Sequence, residues 1–347
     1  MKPLGDNMFT RPLAAIYAFA MDVRNRHFDA CGGYAIGMPV ISVGGIHAGG
    51  TGKTPLTMLI ARQLTESGHT IAFLSRGYKR LSSHPVILHP GQQCGWEHIG
   101  DEPYMLRSQF PQSWLGIGAN RVQCARRIVS YLKKERAVFM LDDGFQHRRI
   151  HRDVDIVCLP PDPFTDRCIP SGYLREPLKS LARAHALCVI GSVDETEVMM
   201  RAREKLVKHF PHACVAVLRQ TAAEWVNAHT GERATLLPLA SPALVCGIAR
   251  PHRFVAMVEK AGIKPLSYHI YHDHHIYSAA DISRAMRGGA DGVITTQKDA
   301  CRLNSIKNLV PINNIWYLMI CLEFYDTAMS TSLLSLIEKL TPIHQGP

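Results

Sequence analysis

Apolar residues along this chain arrive in two rhythms. Short unbroken runs, "PVISVGG" at 39–45, "TIAFLS" at 70–75, "SWLGIG" at 113–118 and "AVFML" at 137–141, followed by "VDIVCL" and "ALCVI", have the length and the β-branched or aromatic content of buried strands. Between them apolar residues return every three or four positions, as in "KTPLTMLIARQLTESG", which should stop near Gly68, and from Asn120, a good N-cap, to Lys134. Strand, loop and helix alternating in this way predict an α/β fold, a parallel sheet flanked by helices, with ligands at the carboxyl ends of the strands.

The rhythm weakens in "LRQTAAEWVNAHTGERATLLPLAS", which mixes polar residues, Gly and Pro. The expected organisation is a first domain over 1–218, a linker over 219–242 and a second, smaller α/β lobe over 243–347. The lobe contains "ALVCG", the helix "PHRFVAMVEKAG", "GVITT" at 292–296 and "IWYLMI" at 315–320, and a terminal apolar helix around 332–340 that suits packing on either domain. At the other end, "RPLAAIYAFAMDVRNRHFD" places Leu13, Ile16, Tyr17, Ala20 and Val23 near helical spacing, with Arg11, Arg24 and Arg26 at its ends. The segment is too short to span a bilayer, which takes about 20 apolar residues. An amphipathic helix lying in a membrane interface has this pattern, and so does a first helix packed on a domain core.

Composition narrows the partners. With 46% hydrophobic and 20% charged residues, the 347-residue chain fits a two-domain globular protein. A net charge of +10 favours something acidic, whether nucleotide, nucleic acid or anionic lipid. The ten cysteines form no C-x-x-C pair, which points to reduced thiols rather than a zinc ribbon or disulfide framework.

The chemistry begins at "GGTGKTP", residues 49–55. A strict P-loop has its first glycine five positions before Gly52, where this chain has His47, so the motif is a variant. Its mechanics survive: Gly49, Gly50, Thr51 and Gly52 turn backbone N–H groups toward phosphate oxygens, Lys53 supplies a cation, and the Thr54 hydroxyl suits magnesium. A partitioning or targeting ATPase would carry a lysine directly before the Gly-Gly pair; here that residue is Ala48, which favours a phosphotransferase over a membrane-associated ATP switch. Further on, "AVFMLDDGFQHRR" ends a strand in Asp142 and Asp143, adjacent carboxylates that repel unless a cation sits between them, with Gln146 and His147 in the same loop.

Two further stretches carry proton-handling groups. "IGDEPYML" offers Asp101 and Glu102 to an acceptor hydroxyl, although the same residues suit a helix N-cap and first turn. "YHIYHDHHIYS" gathers His269, His272, His274 and His275 around Asp273; a zinc pair of His272 and His274 and a His–carboxylate dyad are both open, the dyad requiring the second lobe to fold over the first.

Together with "SRGY" at 75–78, "GDEP" at 100–103, "DDGFQHRRIHRDVDIV", "GYLREPL" at 172–178, "DHH" at 273–275 and "TTQKDA" at 295–300, these motifs resemble the tetraacyldisaccharide 4'-kinase family of lipid A biosynthesis over most of the chain. The resemblance implies a two-lobed P-loop fold, ATP with Mg2+ as phosphoryl donor, and a lipid-linked glucosamine disaccharide as acceptor. It also implies a peripheral position on the cytoplasmic face of the inner membrane, contacted through the N-terminal helix, and no nucleic-acid partner. Asp101 would be the base or positioning residue, with His274 tuning it; Lys53, Thr54, Asp142 and Asp143 would handle phosphates and magnesium; Glu102 and Gln146 would support them, and Arg76 would contact phosphate or substrate. Where the family has Thr-Glu-Lys-Asp this chain has Thr296, Gln297, Lys298 and Asp299, one negative charge fewer.

Overall fold

The computed structural model describes residues 4–81, 83–133, 135–303 and 314–340. Its strands are β1 (Val40–Gly44), β2 (Thr70–Ser75), β3 (Val86–Leu88), β4 (Trp114–Ile117), β5 (Ala137–Asp142), β6 (Val154–Leu159), β7 (Ala186–Ser192), β8 (Cys214–Asn227), β9 (Arg233–Ala234), β10 (Pro242–Cys246), β11 (Ser267–Ile270), β12 (Gly292–Thr296) and β13 (Ile315–Phe324). The helices are α1 (Thr10–Cys31), α2 (Lys53–Glu66), α3 (Trp96–Ile99), α4 (Asp101–Gln109), α5 (Arg121–Leu132), α6 (Thr196–His209), α7 (Pro251–Lys260), α8 (Ala279–Ala285), α9 (Gln297–Leu303) and α10 (Thr327–Leu340).

All the strands join one sheet in the order β11-β10-β12-β13-β8-β7-β6-β1-β5-β2-β4-β3, with β9 paired to β8. The runs read as strands from their apolar content lie in the interior: every residue of β1, β5 and β6 is buried. Helices cover both faces. Leu56, Ile60 and Leu64 of α2 pack on one face, and Cys124, Ala125, Ile128 and Leu132 of α5 on the other, each large aliphatic side chain contributing about 1.5–3 kcal/mol. Asn120 caps α5 as its sequence position predicts, its side chain accepting from the Gln123 N–H at 3.2 Å.

The expected linker is the main correction. Residues 219–227 continue β8, a 14-residue strand whose first half runs parallel to β7 and whose second half pairs antiparallel with β13. Leu218, Trp225 and Val226 are buried there and only Ala222 and Ala223 are exposed, so this stretch is a half-buried ribbon, and its mixed composition reads as loop only if the partner strand is ignored. The ribbon also sets the architecture. β12 pairs with the far end of β13, through Ile315–Leu318, and β10 and β11 follow in parallel. Because β13 runs back toward the first block, the carboxyl ends of β10, β11 and β12 face the carboxyl ends of β1, β2 and β5.

The terminal helix α10 belongs with the first block, its Met329, Leu333 and Ile337 joining the core that contains Met199, Leu206 and Val217. Helix α1 is packed and exposed at once. Ala14 is buried and Tyr17 and Ala18 pack against the core, while Phe9, Leu13, Ile16 and Val23, at helical spacing on another face, are 78, 53, 66 and 52% exposed. Among the described residues no helix is long and apolar enough to cross a membrane.

Candidate active site

A cleft of about 1010 Å³ opens where the two blocks face each other. One wall is the 49–54 loop with Arg76, Glu102, Asp142, Asp143 and Gln146; the other carries Asp273, His274 and Lys298. The loop leaves β1 beside β5, at the point where the sheet order reverses, and the Val43–Asp142 register sets the two carboxylates level with it. Gly52 begins α2 at φ +79°, with Ile190 methyls 3.0 Å from where a Cβ would stand, so only glycine fits there. Lys53 donates to the Gly49 carbonyl at 3.2 Å and lies 3.9 Å from Asp143 Oδ1. Thr54 and the exposed Arg76 line the same space.

The adjacent carboxylates have opposite environments. Asp143, at φ +48°, is clasped by both Arg175 nitrogens at 2.8 Å. Burial alone would raise its carboxyl, but Lys53 and Arg175 outweigh it and hold the group far below the usual range. Asp142 accepts from the Thr57 hydroxyl at 3.3 Å; burial first, then the charges of Glu102 and Asp143, push it up to about 7. A carboxylate kept in this state beside a second acid is an arrangement that a divalent cation relieves.

Across the cleft stands a buried dyad. Asp101 does not cap its helix; Gly100 takes that position at φ +91°, and the Asp101 carboxylate instead meets His274 Nδ1 at 2.9 Å. His274 Nε2 lies 3.2 Å from Lys298 Nζ. An ammonium only donates, so Nε2 is the acceptor and Nδ1 carries the hydrogen given to Asp101. Burial would raise the Asp101 carboxyl, yet the His274 hydrogen bond and the charges of Arg302 and Lys298 leave it below its usual value. Asp101 is 3% exposed and sits behind His274, so the imidazole is the member of the pair that lines the cleft. The dyad open in the sequence therefore forms, and the facing blocks are what bring it together. Lys298 also pairs with Glu102 at 3.0 Å.

The other histidines go elsewhere: His275 pairs with Asp281 at 3.2 Å and stacks on Tyr271, and His269 bonds Ser267. Among the described residues no three His, Cys, Asp or Glu side chains converge to hold a metal. Sequence reasoning missed Arg121, Arg175 and Arg302. Arg121 NH1 donates to the Asp143 carbonyl at 3.2 Å from the first turn of α5, an electrostatically unfavourable place for a cation that signals a nearby acid. Arg302 donates to the His275 carbonyl at 3.0 Å and pairs with Asp299 at 3.1 Å; Asp299 takes the Gly247 N–H and the Tyr277 hydroxyl, and the set holds the turn that carries His274 at φ +63°.

A glycine-lined loop with its lysine, a carboxylate pair at the neighbouring strand end and a His–Asp dyad opposite form the kind of cleft that a phosphotransferase requires. The profile of the family described as tetraacyldisaccharide-1-P 4'-kinase matches residues 7–338. Relatives named tetraacyldisaccharide 4'-kinase include one from Desulfotalea psychrophila, 34% identical with 87% of this chain and 89% of that protein covered, and one from Koribacter versatilis, also 34% identical with 87% and 91% covered. A crystal structure described as the "apo" form of LpxK from Aquifex aeolicus in complex with ATP matches with a TM-score of 0.77 at 28% identity, over 95% of this chain and 98% of that one. The chain belongs to the tetraacyldisaccharide 4'-kinase family, and the ATP-switch alternative has no support from these relatives.

Proposed function

We propose that the chain transfers the γ-phosphoryl group of ATP to the 4' hydroxyl of a tetraacylated glucosamine disaccharide 1-phosphate. The observation that carries this reading is the His274–Asp101 pair, 2.9 Å apart, facing the phosphate loop across one cleft. The 49–52 backbone and Lys53 bind the phosphates. Arg175 and Lys53 are held in place by Asp143, while Arg76 and Arg121 add cations to the same wall. Thr54 and Asp142 would hold magnesium, with Asp143 beside them; the raised Asp142 carboxyl fits a site that a divalent ion completes. Magnesium bound with ATP would supply neutralisation of the phosphate charge.

On the acceptor side, His274 Nε2 takes the proton of the sugar hydroxyl once Lys298 moves off it, and the buried Asp101 fixes the tautomer and stabilises the imidazolium. In this arrangement Asp101 acts through His274 rather than on the hydroxyl itself. Glu102 gives Lys298 an alternative partner, and Gln146 supports the phosphate wall. Positioning and electrostatics, without a covalent enzyme intermediate, suffice for phosphoryl transfer.

The exposed apolar face of α1 supports a peripheral contact with an anionic lipid surface at the cytoplasmic side of the inner membrane, where each nearby Lys or Arg adds about 1 kcal/mol. Mass spectrometry of the disaccharide lipid after incubation with magnesium and ATP tests the proposal: one added phosphate is expected, and ATP hydrolysis with unchanged lipid would overturn it.

A further inference from the structure

Helix α1 has a second, inward face that is hydrogen-bonded into the loops of the phosphate site. The Tyr17 hydroxyl donates to the Arg175 carbonyl at 2.9 Å, Arg24 NH2 to the Gln146 carbonyl at 2.7 Å, and Asn25 Nδ2 to Glu176 Oε2 at 2.7 Å. Arg148 returns a bond to the Asn25 carbonyl at 2.8 Å. Arg175 is the residue that clasps Asp143, and Gln146 lines the cleft, so three side chains of one helix reach the backbone or side chains of the phosphate wall.

Glu176 is the junction. It is fully buried, its Oε2 accepts from Asn25 and from Arg183 at 3.0 Å, and its Oε1 accepts from Gln146 Nε2 at 3.0 Å. Gln146 Nε2 also donates to the Gly45 carbonyl at 3.0 Å, at the start of the phosphate loop. Both hydrogens of that amide are thereby used, and the amide oxygen is left buried without a hydrogen-bond partner among the described residues. A flipped amide would set its oxygen against the Glu176 carboxylate and the Gly45 carbonyl, both acceptors, so the carboxylate dictates which end of Gln146 is left for a ligand.

We propose that Asn25 is a positioning residue for phosphoryl transfer: it holds the Glu176 carboxylate so that Gln146 keeps its amide oxygen as the acceptor for a water or hydroxyl at the phosphate tail. The helix with an apolar outer face is then also a structural part of the phosphate site. This deepens the reading of the cleft as the transfer site and rests on it. Without the Asn25 donor the carboxylate keeps Arg183 but loses the bond that sets its rotation, and the Gln146 amide gains freedom to turn.

The test is a double-mutant cycle on the full chain with the disaccharide lipid in detergent micelles. Asn25→Ala and Gln146→Ala are each expected to lower kcat about tenfold, with KM for ATP within about twofold of the parent, and the double variant to be no slower than Gln146→Ala alone. Asn25→Leu, which keeps the branching but is larger and lacks the donor, should be no faster than Asn25→Ala, and thermal unfolding of each variant guards against loss of fold. Parental kcat in both Asn25 variants, or losses that multiply in the double variant, would overturn the proposal, as would parental kcat in Gln146→Ala. A parent protein that makes no phosphorylated lipid sinks the kinase reading itself, whereas an active parent with any of those outcomes sinks only the role of Asn25. Cosedimentation of Ile16→Ser/Phe19→Ser with anionic phospholipid vesicles tests the lipid contact of the outer face separately.

Discussion

The two walls of the cleft are built by opposite means. On one side, a contiguous strand, loop and helix from β1 to α2 carries the glycines, Lys53 and Thr54, and in the proposed role most of its grip on phosphate would come from backbone N–H groups. On the acceptor side, Asp101, His274 and Lys298 come from three separate elements and meet only because the β8–β13 ribbon turns one set of strand ends toward the other. The first wall is thus a property of a short peptide, and the second of the whole topology. Changes in the first should alter ATP handling, and changes in the second should alter chemistry or the docking of the blocks.

Substitutions can break that contrast. The largest effect is expected at the dyad: His274→Ala or Asp101→Ala should lower kcat by ~10²–10⁴ with ATP affinity near the parent's, measured with a fluorescent nucleotide, while Lys53→Ala should weaken ATP binding as well. Equal loss of ATP affinity in all three would erase the distinction. Next, Arg302→Ala leaves the buried Asp299 without its counter-ion at the base of the His274 turn, though still hydrogen-bonded by Gly247 and Tyr277, so urea unfolding should report a loss of about 3 kcal/mol; a loss below 1 kcal/mol, about that of a surface pair, would show that the turn does not depend on it.

A third measurement concerns the start of the phosphate loop. His47 is 2% exposed, and burial, only partly offset by Asp166, lowers its pKa from 6.5 to about 4. The unfolded chain therefore takes up this proton first, so stability is complete above pH 6.5 and falls by on the order of 3 kcal/mol as pH drops toward 4. His47→Leu should flatten the dependence of the thermal midpoint on pH across that window, and an unchanged slope would assign it to other groups. The smallest effect is expected at Gln297→Glu, which restores the family's acid on the cleft rim. Lys298 already has Glu102 at 3.0 Å and Asp273 at 3.9 Å, so kcat should change by less than about threefold.

What could be read from the sequence follows the same division. The P-loop, the strand ending in Asp142 and Asp143 and the Asn120 cap were legible because each is a local pattern with a local mechanism. Asp101 and His274 were legible as candidates, but their 2.9 Å contact depends on two segments 173 positions apart. Arg175 stood unnoticed inside "GYLREPL", since nothing nearby in sequence says that its guanidinium turns to Asp143. Residues 219–227 were read as linker because their strand character comes from pairing with β13, nearly a hundred positions further along. The outward stripe of α1 could be seen in its spacing; that its other face also reaches Gln146 and Glu176 could not.

The 14-residue strand β8 has one more consequence, for anyone dividing the gene. A cut after residue 218 would sever it inside its pairing with β7 and β13 alike, leaving both fragments with raw sheet edges prone to clumping. Fragment complementation should succeed instead at the tight reversal around Gly231, at φ +74° with open space about it, where a break interrupts no rung between β8 and β13.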